Sequence, residues 1–189
     1  MSRYITDDTF SNISFAEAGF ETCEFENCLF KDADFSGADL SECSFTDCSF
    51  QNCDLSNVRL KQTTLNNARF TDCKMLGIVF ADCTPFLLSF SFNGCNLSYS
   101  SFYKLKIHNT SFTNSNLQET DFTSADITGA SFDGSNLAGA MFDNTLLEKA
   151  DLRTAIGFSI NPETNRINRA KFSADGLQGL LHKYNIEVE

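Results

Sequence analysis

Residues 23–40 read Cys23-Glu24-Phe25-Glu26-Asn27-Cys28-Leu29-Phe30-Lys31-Asp32-Ala33-Asp34-Phe35-Ser36-Gly37-Ala38-Asp39-Leu40. A large apolar residue returns at every fifth position, and two residues before each stands a small one: Cys23, Cys28, Ala33, Ala38. A helix needs an apolar period of about 3.6 and an ordinary strand a period of 2, so neither describes this stretch. Outward from it, the beat holds from Phe10 to Phe80, slips by two residues, and resumes from Phe92 to Leu152. Repetition of this kind specifies a solenoid, in which each repeat touches only its neighbours.

A second period gives the shape of the coil. Phe92, Phe112 and Phe132 agree, as do Leu97, Leu117 and Leu137, and Phe102, Phe122 and Phe142. Identity recurs every four pentads, so four pentads complete one turn and like residues stack on like at about 4.8 Å. Two of five positions face inward and three face water. Buried backbone groups must pair with the coil above or below, which leaves only the two ends open.

At 189 residues with 42% hydrophobic content the chain reads as one domain. Within residues 1–189 the coils occupy 8–157, with a phase slip near 84–91, and 158–189 hold a terminal turn, a last pentad and a helix. The N-terminal residues are polar and no segment approaches the roughly 18 apolar residues of a membrane span, so a cytoplasmic protein without membrane contact is expected. All eight cysteines fall on the small inward position, where a buried free thiol packs as a small apolar group. His108 and His182 stand apart from any cysteine or carboxylate pair, and no nucleophile, phosphate-loop or metal-ligand spacing occurs. The expectation is a protein that is not an enzyme and has no cofactor and no metal.

Net charge is −11, and its distribution matters more than its sum. Between Asp7 and Asp54 lie twelve acids and one base, Lys31, and twelve minus one is already eleven. The rest of the chain balances, thirteen acids against thirteen bases. Those residues span about 2.4 coils, or roughly 12 Å of rod at about 4.8 Å per coil. That is about one negative charge per 1.1 Å, against about one per 1.7 Å in duplex DNA. The same charge also keeps a β-helix surface soluble. The candidate acidic surface comprises Glu21, Glu24, Glu26, Asp34, Asp39, Glu42, Asp47 and Asp54. Direct nucleic-acid binding is disfavoured, because such a surface repels phosphates.

Two breaks interrupt the beat. In the first, Pro85 lacks an N–H, and Phe86, Leu87 and Leu88 exceed the inward quota, so a bulge or small loop with exposed apolar side chains is expected, with Pro85, Phe86 and Leu87 as candidate partner contacts. The second follows Gly157 and is turn-rich at Asn161-Pro162, and Ala170-Lys171-Phe172 restores one pentad. From Ser173, a good N-cap, Leu177, Leu180, Leu181 and Tyr184 form a helical stripe that Gly176 and Gly179 weaken by roughly 1 kcal/mol each. This helix is expected to cap the open end of the core. Leu177, Leu180, Leu181, Tyr184, Ile186 and Val188 are candidate residues of a homodimer interface.

The repeated A/C-x-F/L-x-x pentad resembles the pentapeptide-repeat proteins, which implies an all-β, right-handed, quadrilateral (four-sided) β-helix with a C-terminal capping α-helix. Asp72-Cys73-Lys74-Met75-Leu76-Gly77, Asn161-Pro162-Glu163-Thr164-Asn165-Arg166-Ile167 and the ending from Phe172-Ser173 to Ile186-Glu187-Val188 resemble a narrower group, the bacterial members that protect DNA gyrase against microcin, albicidin or quinolones. That resemblance implies a DNA gyrase partner, dimerisation through the C-terminal module, and an acidic double rod that imitates duplex DNA. The quinolone-resistance members project longer loops, whereas here only a two-residue slip interrupts the rod. A scaffold for some other basic protein is the alternative.

Overall fold

The computed structural model describes residues 3–15, 20 and 22–187. The chain winds into the expected right-handed, four-sided β-helix. Face I is a parallel sheet of β1 (Tyr4–Thr6), β3 (Glu24–Glu26), β5 (Ser44–Thr46) and β7 (Thr64–Asn66). Face II is a six-stranded parallel sheet of β2 (Thr9–Ser11), β4 (Leu29–Lys31), β6 (Ser49–Gln51), β8 (Ala68–Thr71), β9 (Phe90–Asn93) and β10 (Phe112–Thr113). Faces III and IV are held by single bridges, Asp34↔Asp54↔Lys74↔Asn96 on III and Asp39↔Arg59 and Val79↔Ser101 on IV. Phe10↔Phe30, Phe30↔Phe50 and Phe50↔Phe70 are in register one coil apart, as the twenty-residue period requires.

The core is a lattice of rings. Along face II, Phe10, Phe30, Phe50, Phe70, Phe92, Phe112 and Phe132 stack with centroids 4.8–5.4 Å apart and planes within 16° of parallel. Rings of adjacent faces meet edge to face, as in Phe25 against Phe30 at 5.2 Å and 79°. Both geometries are favourable for aromatic quadrupoles.

The small inward slot has a second duty. Cys48 Sγ donates to the Phe25 carbonyl one coil below, Cys53 to Phe30 and Cys73 to Phe50, at 3.4–3.6 Å. The Thr63, Thr120 and Thr145 hydroxyls make the same bond to the Leu40, Leu97 and Phe122 carbonyls, at 2.8–3.2 Å. The slot therefore accepts Cys, Ser or Thr because each can satisfy a buried carbonyl as well as fit. Burial pushes the Cys48 and Cys83 thiols up to about 12, and all eight cysteines are free and buried.

Most corners turn on a left-handed residue two positions after the large one, among them Asp7, Asn27, Asp47 and Asn67 between faces I and II. Asn and Asp tolerate this conformation better than most residues. On faces III and IV the corner closes as a hydrogen-bonded turn, as in Ala38 N–H to the Phe35 carbonyl across Gly37, the positive φ at the third residue marking a type II turn. Gly94 has a further reason: a Cβ there would lie 2.3 Å from Asp72 Oδ1.

The slip forms a loop, as expected, with Phe86 74% and Leu87 58% exposed. Pro85 takes the central position of its pentad without filling the core. Phe90 fills it instead: standing where a small residue is the rule, it is buried against Phe80, Phe92 and Phe102 at 5.2–6.0 Å.

At the C-terminus the beat returns earlier than the sequence suggests. Asn165 occupies an inward slot, donating to the Phe142 carbonyl, and Leu146 pairs with Arg166. The expected helix is short: a 3-10 turn (Asp175–Leu177), one α-helical turn α1 (Gln178–Leu181) and a second 3-10 turn (His182–Tyr184). Ser173 does accept the Gly176 N–H. The glycines that weaken the helix admit Phe158, since a Cβ on Gly179 would lie 2.5 Å from its ring. Leu180 packs on the core, and Ile160 N–H donates to the Gly179 carbonyl, so this module covers the end of the rod.

Candidate interaction surface

The acidic residues do not gather into one patch; they girdle the N-terminal coils. Glu24 and Glu26 flank Phe25 on face I, Asp34 and Asp54 stack on face III, Asp39 lies on face IV, and Glu42 and Asp47 take left-handed corners. Glu21 lies outside the described residues. Glu26 and Asp47 do meet, with Tyr4, Asp7 and Arg69, in an open groove of about 500 Å³ at the corner between faces I and II. There Tyr4 Oη donates to Glu26.

Much of this acid serves the turns. Asp7 accepts from the Asn27 amide at 2.6 Å and Asp32 from Asn52 at 2.7 Å, while Asn67 donates to Asp47. Asp and Asn thus alternate up the two corners that bound face II, Asp7-Asn27-Asp47-Asn67 and Asn12-Asp32-Asn52-Asp72, which avoids stacking like charges about 4.8 Å apart. The Asn27 bond holds the Asp7 carboxyl below the usual range. On faces III and IV, Asp34, Asp39 and Asp54 each accept the backbone N–H two residues on, at 2.8, 3.1 and 2.9 Å. Asp39 pairs with Arg59 at 3.0 Å and Asp54 with Lys74 at 2.9 Å. Ser41, then Arg59, holds the Asp39 carboxyl low; for Asp54, burial acts upward but is outweighed by the bonds from Ser56 and Lys74. The corner ladders were readable in the sequence as Asn/Asp alternation at twenty-residue spacing, a signal that the five-residue beat conceals.

The candidate dimer stripe divides. Leu180 and Leu181 are half-buried, Leu177, Tyr184 and Ile186 are exposed, and Val188 lies outside the described residues. Tyr184 Oη donates to Glu163 at 2.9 Å and Lys183 pairs with the same carboxylate, tying the module to the Asn161-Pro162 turn. Beside it, a cleft of about 420 Å³ opens between Arg153, exposed Ile156, Phe158, Gln178 and His182. No group of three metal-ligating side chains occurs among the described residues, and no helix there is long and apolar enough to cross a membrane.

A solenoid whose side chains are either packed in the bore or spread on four flat faces is a class of protein defined by its repeat. This chain belongs to the pentapeptide-repeat family: the pentapeptide repeat region matches residues 43–85 and 86–155, and the pentapeptide repeats (8 copies) match residues 10–47. A search of curated proteins finds no match. Among solved structures, trypsin-treated QnrB1, a plasmid-mediated fluoroquinolone resistance protein, is similar over all of both chains, at 18% identity and a TM-score of 0.58. HetL, a pentapeptide repeat protein involved in heterocyst differentiation regulation from the cyanobacterium Nostoc sp. strain PCC 7120, is similar over 92% of this chain and 89% of its own, at 15% identity and a TM-score of 0.54. At these identities the likeness establishes the fold.

Proposed function

We propose that the protein is a non-enzymatic DNA mimic that binds DNA gyrase or a related type II topoisomerase and protects it from, or modulates its response to, a toxin or antibiotic. The observation that carries this reading is the charge imbalance: the whole net charge of −11 resides between Asp7 and Asp54. A girdle of carboxylates, rather than a patch on one face, suits imitation of a duplex, whose phosphates also surround a rod. The surface on which a topoisomerase holds DNA is basic, so such a tip is steered to it and weakened by salt. A homodimer joined through Leu177, Tyr184 and Ile186 would carry one acidic tip at each end. The protein would act in the cytoplasm, as one domain.

A supercoiling assay with purified gyrase, with and without microcin, albicidin and quinolone poisons and at two salt concentrations, tests this. Salt-sensitive rescue or inhibition is expected, lost in Glu24→Lys/Glu26→Lys/Asp39→Lys; no effect at micromolar protein would refute it. One observation favours the alternative, a scaffold for another basic protein: the aspartates' work in the corner turns would place acid on the rod whatever its partner.

A further inference from the structure

The two ends of the rod differ. At the C-terminus the last module covers the core, whereas β1 is the outermost strand of face I and pairs on one side only, with β3. The Glu24 N–H donates to the Arg3 carbonyl at 2.9 Å and the Asp7 N–H to the Glu26 carbonyl at 3.1 Å, so in this parallel ladder the peptide groups of Tyr4 and Thr6 face away from β3. Neither of their amides has a partner among the described residues. The core is open at the same place. Ile5 is partly exposed, whereas Phe25, Phe45 and Leu65, its counterparts in the coils above, are buried; Phe10 is likewise partly exposed beneath buried Phe30. Phe15 and Phe20 are buried, which confines the opening to faces I and II. Of these, face II is the less accessible, because Asp8 already accepts the Thr9 N–H at 2.7 Å. An open strand edge recruits extended chains.

Charge at this edge selects the chain. Asp7, Asp8, Glu24 and Glu26 stand on β3 and on the corner that follows β1, all exposed. Tyr4, Asp7 and Glu26 also line the groove of about 500 Å³ at that corner. The bases on these two faces are Arg3, whose guanidinium lies 5.8 Å from the centre of the Phe20 ring, Lys31 one coil up on face II, and Arg69 three coils up. Three coils are roughly 14 Å, beyond the screening length of about 8 Å at physiological salt. Within one coil of the edge, four carboxylates therefore stand against two bases on faces I and II and the corner between them. The coils behind them carry the rest of the acidic girdle, so the field at this end is negative.

We propose that the free edge of β1 docks, by strand addition, an extended segment of a partner protein in which basic and apolar side chains alternate. The Tyr4 and Thr6 amides donate to its carbonyls. Its apolar side chains close the core against Ile5, and its basic ones point outward with Tyr4 and Thr6, toward Asp7, Glu24 and Glu26 and the corner groove. An acidic segment is repelled there. The site shares carboxylates with the tip proposed to bind gyrase but rests on the open edge and not on imitation of DNA, so either reading can fail without the other.

The test uses the full-length protein and three fluorescein-labelled twelve-residue peptides: alternating Lys and Val, the same peptide N-methylated along its backbone, and alternating Glu and Val. The Lys-Val peptide is expected to bind and to slow hydrogen exchange at the Tyr4 and Thr6 amides. N-methylation keeps its charge but removes its backbone donors, and should weaken it at least tenfold. Thr6→Pro removes an N–H that the fold leaves unused, at a position on an edge strand where proline is tolerated, and should also weaken binding at least tenfold with the melting curve unchanged. Because that variant retains every carboxylate, its gyrase assay reports on the gyrase reading alone. Should Thr6→Pro disturb folding, the N-methylated peptide against the wild type decides. No binding of the Lys-Val peptide, equal binding of its N-methylated form, equal binding of the Glu-Val peptide, or unchanged exchange at Tyr4 and Thr6 would overturn the proposal.

Discussion

The coils before the loop and the coils after it follow the same beat with different materials. On face III the residue preceding the large one is Ser14, Asp34, Asp54 and Lys74 in the first half, and Asn96, Asn116, Asn136 and Ile156 in the second; two aspartates stand against three asparagines. These five do the same work, accepting the N–H two residues on, at 2.8 and 2.9 Å for the aspartates and 3.1–3.3 Å for the asparagines. Where an acceptor stands there the fold is indifferent to its charge, and Lys74 and Ile156 show that the position also tolerates a residue that accepts nothing. The inward slots differ likewise: Cys43, Cys48, Cys53 and Cys73 in the first half, Ser115, Thr120, Ser135 and Thr145 in the second, each with a carbonyl to satisfy. The repeat fixes size, hydrogen-bonding capacity and corner conformation, and leaves charge free to be placed by function.

The comparison breaks most severely if the ring lattice is opened. Phe50, fully buried and in ring contact with Phe30, Phe35, Phe45 and Phe70, should lose about 3–5 kcal/mol as Phe50→Ala in urea unfolding. A loss below about 1 kcal/mol would mean that the first half is loosely packed. Next comes the cap: Gly179→Ala should cost about 1–3 kcal/mol, because the new Cβ meets Phe158, and should speed hydrogen exchange across residues 175–184 before it affects the coils. The thiols of both halves should resist a disulfide reagent in the native protein, and all eight should react once it is unfolded.

The smallest effects sharpen the comparison. Asp34→Asn imports the second half's residue into the first and should change stability by no more than about 0.5 kcal/mol. Asp54→Asn also removes the exposed Lys74 pair, for a loss of at most about 1 kcal/mol at neutral pH. Because the folded-state pKa of Asp54 is lowered, its contribution is present above the unfolded value near 3.8 and disappears as pH falls through the folded value. The gap between wild type and Asp54→Asn should therefore close below about pH 3.8; a gap that widens there would contradict the assignment.

The beat, the slots, the four-pentad coil and the exposed loop were legible in the sequence because each depends on spacing alone. The corner ladders were also written there, in Asp7, Asn27, Asp47 and Asn67, but they emerge only when residues are read down the stack. Three features could not be read. That Phe90 replaces the residue displaced at Pro85 depends on the path of the loop. That Gly176 and Gly179 make room for Phe158 depends on how the last turn folds back. That the acids encircle the rod depends on which face each pentad joins.

The central claim is that charge in the first half serves a partner and not the fold. The most direct measurement is gyrase affinity for the wild type and for Glu26→Gln/Asp34→Asn/Asp39→Asn/Asp54→Asn, each at low and physiological salt. A loss of at least tenfold, smaller at higher salt and with little change in the melting curve, is the predicted result. Equal affinities, or a loss that merely follows unfolding, would contradict it.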